Sequence, residues 1–114
     1  MFAIRDCGYR LIDTAMRYGC EHQVGRAIVE SGVHRQDMFL TTKLWPSFYG
    51  HDSCLKQAKT SMEKLGTDYL DLYLLHFPQA ESRKQIEETW RAMELLMEKG
   101  KPHPHFCLYI LNCV

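Results

Sequence analysis

Three observations predict an α/β fold with parallel strands. Short β-prone apolar runs, Leu11-Ile12, Phe39-Leu40-Thr41-Thr42 and Tyr69-Leu70-Asp71-Leu72-Tyr73-Leu74-Leu75, recur at intervals of about thirty residues, the length of a βαβ unit. Each interval holds one stretch whose apolar residues have helical spacing. Each run also stops at an ionisable side chain: Asp13, Lys43 and His76. Parallel strands joined by right-handed crossovers point their carboxyl ends to one face, where ligands bind. Side by side, these strands bring Asp13, Lys43 and His76 to one pocket, with Tyr18 in the loop after the first strand.

The 114 residues make one domain or part of one, with 46% apolar residues for a core and 25% charged residues for a surface. Fourteen basic side chains balance fourteen acidic ones. That neutrality argues against a polyanionic partner, so no nucleic acid is expected. The opening Met1-Phe2-Ala3-Ile4-Arg5-Asp6 carries charges where a signal peptide needs an apolar run. No stretch reaches about 18 consecutive apolar residues either, so no membrane partner is expected. Cys7, Cys20, Cys54, Cys107 and Cys113 are scattered, odd in number and without C-x-x-C spacing, as suits reduced thiols in a cytoplasmic protein.

Taken in order, residues 1–7 read as the last turns of a helix ended by Gly8. After the first strand and the Thr14–Gly19 loop, Val24, Ala27 and Ile28 mark a helix over about 21–31 that Gly32 stops, with Gly25 permitting close approach to the strand layer. Val33 to Asp37 reads as polar linker. The second strand, about 38–42, runs through Lys43-Leu44-Trp45-Pro46 into a loop. Asp52 or Ser53 is expected to cap a helix over about 53–65, with Leu55, Ala58, Met62 and Leu65 as its buried stripe.

The third strand, Tyr69 to Leu75, is apolar on both faces apart from Asp71, as a strand inside a parallel sheet should be. A last helix, about 82–99, has Ser82 as candidate N-cap and Ile86, Trp90, Met93, Leu96 and Met97 on one side. Gly100 ends it. A fourth strand falls due near residues 101–111, where the run His105 to Leu111 appears after an entry, Lys101-Pro102-His103-Pro104, in which two prolines remove ladder donors.

An ammonium beside a phenol stabilises the phenolate, and a carboxylate beside the ammonium keeps it charged and oriented. Asp13, Tyr18 and Lys43 together therefore form a tuned general acid, able to protonate an oxygen on which charge develops as hydride adds to a carbonyl carbon. His76 can hydrogen-bond the same oxygen. None of the four donates hydride, so a nicotinamide cofactor is required. Taken singly, each has a plainer explanation: Asp13 as an N-cap, Tyr18 as packing, Lys43 as a solvated strand end, His76 as a loop histidine. Their shared position at consecutive strand ends favours the joint reading. His103 and His105 have no third ligand nearby, so no metal is expected. The glycines form neither G-x-G-x-x-G nor a P-loop.

Gly8-Tyr9-Arg10-Leu11-Ile12-Asp13-Thr14-Ala15, then five residues, Glu21, two residues and Val24-Gly25, resembles the first signature of the aldo-keto reductase superfamily. Lys43-Leu44-Trp45 and Asp71-Leu72-Tyr73-Leu74-Leu75-His76-Phe77-Pro78 resemble further blocks of it, with Phe77 where the family usually has Trp. The resemblance implies an NADP(H)-dependent reductase of aldehydes or ketones. Tyr18 would be the general acid, Lys43 the group that tunes it, Asp13 the partner of Lys43 and a contact to the nicotinamide side, His76 the orienter of the substrate carbonyl, and Trp45 part of the substrate pocket.

The resemblance covers about residues 1–101, the second to fourth units of an eight-unit barrel. It implies a partial (β/α)-barrel of about three βα units with parallel strands, and a divergent tail over 102–114. Past Lys101 the family continues into a strand with a Ser-Asn pair that holds the nicotinamide amide. Here the text changes to Pro102-His103-Pro104-His105-Phe106, as a frame change or an alternative terminal exon would produce. A barrel needs about 250 residues, so the shortened chain is expected to be inactive. Two other readings compete. One is a non-catalytic module whose exposed half-sheet pairs with itself or a full-length relative; the other is a Schiff-base lyase using Lys43, which leaves Tyr18 unexplained.

Overall fold

The computed structural model describes residues 1–99 and, for their backbone, 107–110. In chain order the main elements are α1 (Phe2–Arg5), β1 (Leu11–Asp13), α2 (Glu21–Ser31), β2 (Phe39–Leu44), α3 (His51–Leu65), β3 (Leu72–Leu75), α4 (Arg83–Lys99) and β4 (Cys107–Ile110). Single 3-10 turns follow β1 (Met16–Tyr18), precede β2 (Arg35–Asp37) and follow it (Pro46–Phe48).

The strands form one sheet in the order β1-β2-β3-β4, and every adjacent pair is parallel. Sequential order without reversal, joined by right-handed crossovers, puts all the connecting helices on the same side. That is the layer of a (β/α)-barrel wall; an open doubly wound sheet has helices on both faces. Strand alternation assigns the faces. Leu40, Thr42 and Leu44 of β2 and Tyr73 and Leu75 of β3 are fully buried, and the apolar ones share a core with Ile28 of α2, Ala58 and Leu65 of α3, and Ala92 and Met93 of α4. Thr41, Lys43 and Leu74 take the opposite face.

Several boundaries differ from the sequence reading. Continuation of β2 through Lys43 to Leu44 places the lysine inside the strand, not after it. At β3, the first strand residue is Leu72. The backbone N–H of Asp71 still donates to Leu40 O at 3.1 Å, but Tyr69 and Leu70 precede the ladder. At α3, neither Asp52 nor Ser53 is the cap: Gly50, at φ +115°, is the N-cap, and its N–H donates to Thr89 Oγ1 of α4 at 2.7 Å. No side chain caps the helix. The buried stripe of α3 is Cys54, Gln57, Ala58, Ser61 and Leu65, while Leu55 and Met62 are half-buried. Ser82 does cap α4, its Oγ accepting from Gln85 N–H at 3.2 Å.

The stretch read as polar linker contains an anchor. Arg35 donates to Thr67 Oγ1, Met38 O, Tyr69 O and Asp71 Oδ2 at 2.8–3.0 Å, and its guanidinium lies 4.0 Å from the Tyr69 ring centre. Asp71 Oδ2 also accepts from Leu40 N–H at 2.8 Å. This network ties together the starts of β2 and β3, at the end of the sheet opposite the ionisable residues. The predicted fourth strand is represented by Cys107–Ile110, register-paired with Leu72–Leu75; the rest of the 102–114 tail, including His103 and His105, lies outside the described residues.

Candidate active site

Backbone pairing carries the polar residues past the strand ends in fixed positions. Thr14 N–H donates to Thr41 O at 2.9 Å, which extends the β1–β2 ladder beyond Asp13, and His76 N–H donates to Leu44 O at 2.9 Å, which does the same for β2–β3. The chain after Thr14 then folds into the Met16–Tyr18 turn, closed by Gly19 at φ +69°, a backbone conformation that glycine adopts without strain. That turn returns Tyr18 over the end of β2. Its Met16 Sδ accepts from the Trp45 backbone N–H at 3.5 Å, so the loops after β1 and β2 are held to each other.

Lys43 is the centre of the arrangement. Only 5% of the residue is exposed, and an ammonium has three protons to place. The Asp13 carboxylate, Thr14 O at 3.2 Å and the Tyr18 phenol oxygen at 3.3 Å accept from it. Every donor is engaged. Because the phenol oxygen accepts from Lys43, the single O–H proton of Tyr18 is left to point elsewhere. Asp13 keeps 54% of its side chain exposed, so part of its carboxylate stays open beside the ion pair.

His76 packs edge-on to Tyr18, with ring centres 5.6 Å apart, and edge-on to Trp45 at 5.2 Å. Phe77 stacks on His76 at 5.0 Å and meets Trp45 edge-on at 5.4 Å. Burial, chiefly, and then the charge of Lys43 hold the imidazole below its usual 6.5, with Asp13 opposing them. The ring is therefore neutral at pH 7. Its Nδ1 is buried and has no hydrogen-bond partner among the described residues, which leaves Nε2 as the nitrogen for a ligand.

The structure thus brings all of Asp13, Tyr18, Lys43, His76 and Trp45 to one rim. Sequence reasoning passed over two further residues. Glu21 appeared only as part of a signature, yet it is buried and its Oε1 accepts from Thr42 Oγ1 at 2.7 Å, pinning the start of α2 to the back of β2. Its place on the stripe Glu21, Gly25, Ile28, with i, i+4, i+7 spacing, was a readable sign of burial. Arg17 had no such sign; its guanidinium lies 5.2 Å from the Trp45 ring centre. Among the described residues, no group of three His, Cys, Asp or Glu side chains could hold a metal ion, and no helix is long and apolar enough to cross a membrane.

The sequence profile of the Aldo/keto reductase family matches residues 1–102. The chain belongs to this family. Among curated aldo-keto reductase relatives and their neighbours, it is similar to an uncharacterized oxidoreductase of Caenorhabditis elegans, 50% identical over 103 residues, 86% of this chain and 32% of the relative. Similar too is the glyoxal reductase of Bacillus subtilis (strain 168), 47% identical over 94 residues, 82% of this chain and 33% of the relative. Among solved aldo-keto reductases, that of Brucella melitensis is 51% identical with a TM-score of 0.82, the match covering 90% of this chain and 39% of that one. The Bombyx mori aldo-keto reductase, solved in complex with NADP, is 37% identical with a TM-score of 0.79, covering 96% and 38%. The chain spans about a third of the length of the curated relatives it matches.

Proposed function

We propose that this rim is the proton-donating and carbonyl-orienting half of an NADP(H)-dependent reductase of aldehydes and ketones. The observation that carries the reading is the Lys43 ammonium, its donors shared among Asp13, Thr14 O and the Tyr18 oxygen, beside a neutral His76. Tyr18 gives its proton to the carbonyl oxygen as negative charge gathers there. Lys43, 3.3 Å away, stabilises the phenolate that remains, and Asp13 fixes the lysine in place. His76 donates from Nε2 to the same oxygen and sets the orientation of the carbonyl, while Trp45 and Phe77 supply apolar walls.

The donor set fits the nicotinamide end of the cofactor. A half-exposed carboxylate at Asp13 offers an acceptor to a ribose hydroxyl or amide beside the ring. A reduced nicotinamide supplies the hydride when bound, and two solved relatives were crystallised with NADP or NADPH. Such chemistry also needs water excluded from the reacting carbonyl. The chain spans about a third of the length of its curated relatives, and a closed barrel needs about 250 residues, so the 114 residues by themselves are expected to oxidise little or no NADPH.

A chimera separates the chemistry of the rim from the completeness of the barrel. Residues 1–99 in place of the matching segment of the Bacillus subtilis glyoxal reductase should yield a protein that oxidises NADPH with an aromatic aldehyde. Tyr18→Phe in that chimera should lower kcat by a factor of about a hundred or more, the lower end for loss of a positioned general acid. A fully active Tyr18→Phe chimera would sink the assignment.

A second reading is favoured by the free edge of β1, which pairs only with β2 among the described residues. Leu11 on that strand is 60% exposed and Tyr9 beside it 63%. An apolar edge of this kind is a template for another strand, and we propose a second copy of this chain as its occupant.

A further inference from the structure

We infer that Arg17 makes this rim selective for carbonyl compounds that carry a carboxylate at their far end. The inference rests on the carbonyl-reducing reading above and adds a substrate class to it. Arg17 directly precedes Tyr18 in the Met16–Tyr18 turn, so the residue that would protonate the carbonyl and the residue that would hold the far end share one short, hydrogen-bonded loop.

Three observations support it. Arg17 is exposed, and no carboxylate among the described residues pairs with it. Its guanidinium is held 5.2 Å from the Trp45 ring centre, and His76 lies 5.2 Å from the same ring on its edge. The orienting imidazole and the guanidinium thus border the same indole, a gap within the reach of a small aromatic or short-chain substrate. Charge at the rim is also unbalanced. Asp13 is committed to Lys43, so Arg17 leaves one net positive charge facing the opening. A guanidinium presents two parallel N–H donors that match a carboxylate.

The experiment compares 4-formylbenzoate with its methyl ester, two aldehydes that differ in the charge at the far end. Binding to the intact 114-residue chain is read from the Trp45 indole N–H resonance, assigned with Trp45→Phe. The carboxylate should bind about tenfold more tightly than the ester, the worth of one exposed charge-assisted hydrogen bond. Arg17→Gln should abolish that ratio, and Arg17→Lys, which keeps the charge without the fork, should retain part of it. Simple packing of Arg17 on Trp45 would shift both ligands alike. An equal affinity for acid and ester in the wild-type chain, or a preference that survives Arg17→Gln, overturns the inference.

The same pair of aldehydes offered to the chimera with NADPH keeps the two readings apart. Reduction of both with no dependence on Arg17 removes the carboxylate preference and leaves the reductase reading standing. Arg17-dependent binding of the acid without reduction of either supports the anion subsite and counts against the reductase reading.

Discussion

Removing an ammonium from water is costly unless each of its protons finds an acceptor. Lys43 meets that demand with a carboxylate, a backbone carbonyl and a phenol, and this same coordination frees the Tyr18 proton. The charge has a second effect on His76, whose imidazole is held below 6.5 mainly by burial and then by Lys43. A depressed histidine binds its proton more weakly in the folded chain than in the unfolded one. Its contribution to stability is therefore present above pH 6.5 and is lost as the pH falls from there through the folded value. In a titration followed by NMR, His76 should have a midpoint below 6.5, and Lys43→Met should raise it only part of the way, because burial is the larger cause. A midpoint at or above 6.5 in the wild-type chain would contradict the geometry. Cys54, by contrast, is a buried thiol pushed up to about 12 by burial alone, and it takes no part in the rim.

At the scale of elements, the contact between α2 and α3 depends on one missing side chain. A Cβ added at Gly25 would stand 2.5 Å from the carbonyl oxygen of Leu65 and 2.7 Å from its carbonyl carbon, both backbone atoms at the end of α3. Neither can swing away. Helix propensity alone would favour alanine by about 1 kcal/mol, but overpacking against backbone costs about 1–3 kcal/mol and wins here. Gly25→Ala should therefore lower the stability of the chain by roughly that net amount in urea unfolding, where an exposed helical glycine would show a gain. Because α2 also carries Glu21, bonded to Thr42 beside Lys43, a shift of α2 should reach the rim as well.

Taken as a whole, the molecule is a sheet with helices on one face and its ionisable residues at one end. The opposite end is tied by Arg35 and Asp71, a largely buried ion pair whose remaining hydrogen-bonding capacity is met by Thr67, Met38, Tyr69 and Leu40. One end of the strands is fixed by a satisfied network and the other presents partly open charge, a division of labour between stability and chemistry. The free β1 edge belongs to this scale too. In size-exclusion chromatography the chain should elute above its monomer mass of 13.4 kDa, increasingly so with concentration, and Leu11→Lys should return it towards the monomer. A sharp monomer peak at every concentration would remove the self-pairing proposal.

The rhythm of strands and helices was legible in the sequence because it depends on local periodicity, which β-branched and apolar residues write into every window of a dozen positions. So were the polar strand ends: Asp13, Lys43 and His76 break apolar runs, and parallel topology sends all such breaks to one face. The ends of elements were less legible. Gly50 is the N-cap of α3 without any side-chain cap bond, its own N–H held by Thr89, and Asp71 precedes β3 with its carboxylate spent on Arg35 and Leu40. Glu21 with Thr42, Arg35 with Asp71 and Gly25 against Leu65 are contacts made across turns and between layers, the first two between residues 21 and 36 positions apart. Arg17 over Trp45 is another. No local pattern encodes such pairs, since a charged or small residue looks the same in sequence whether it faces water or a distant partner. The chain's residues specified which elements form and what chemistry meets at their ends; packing alone chose which charges are spent inside the fold and which remain for a ligand.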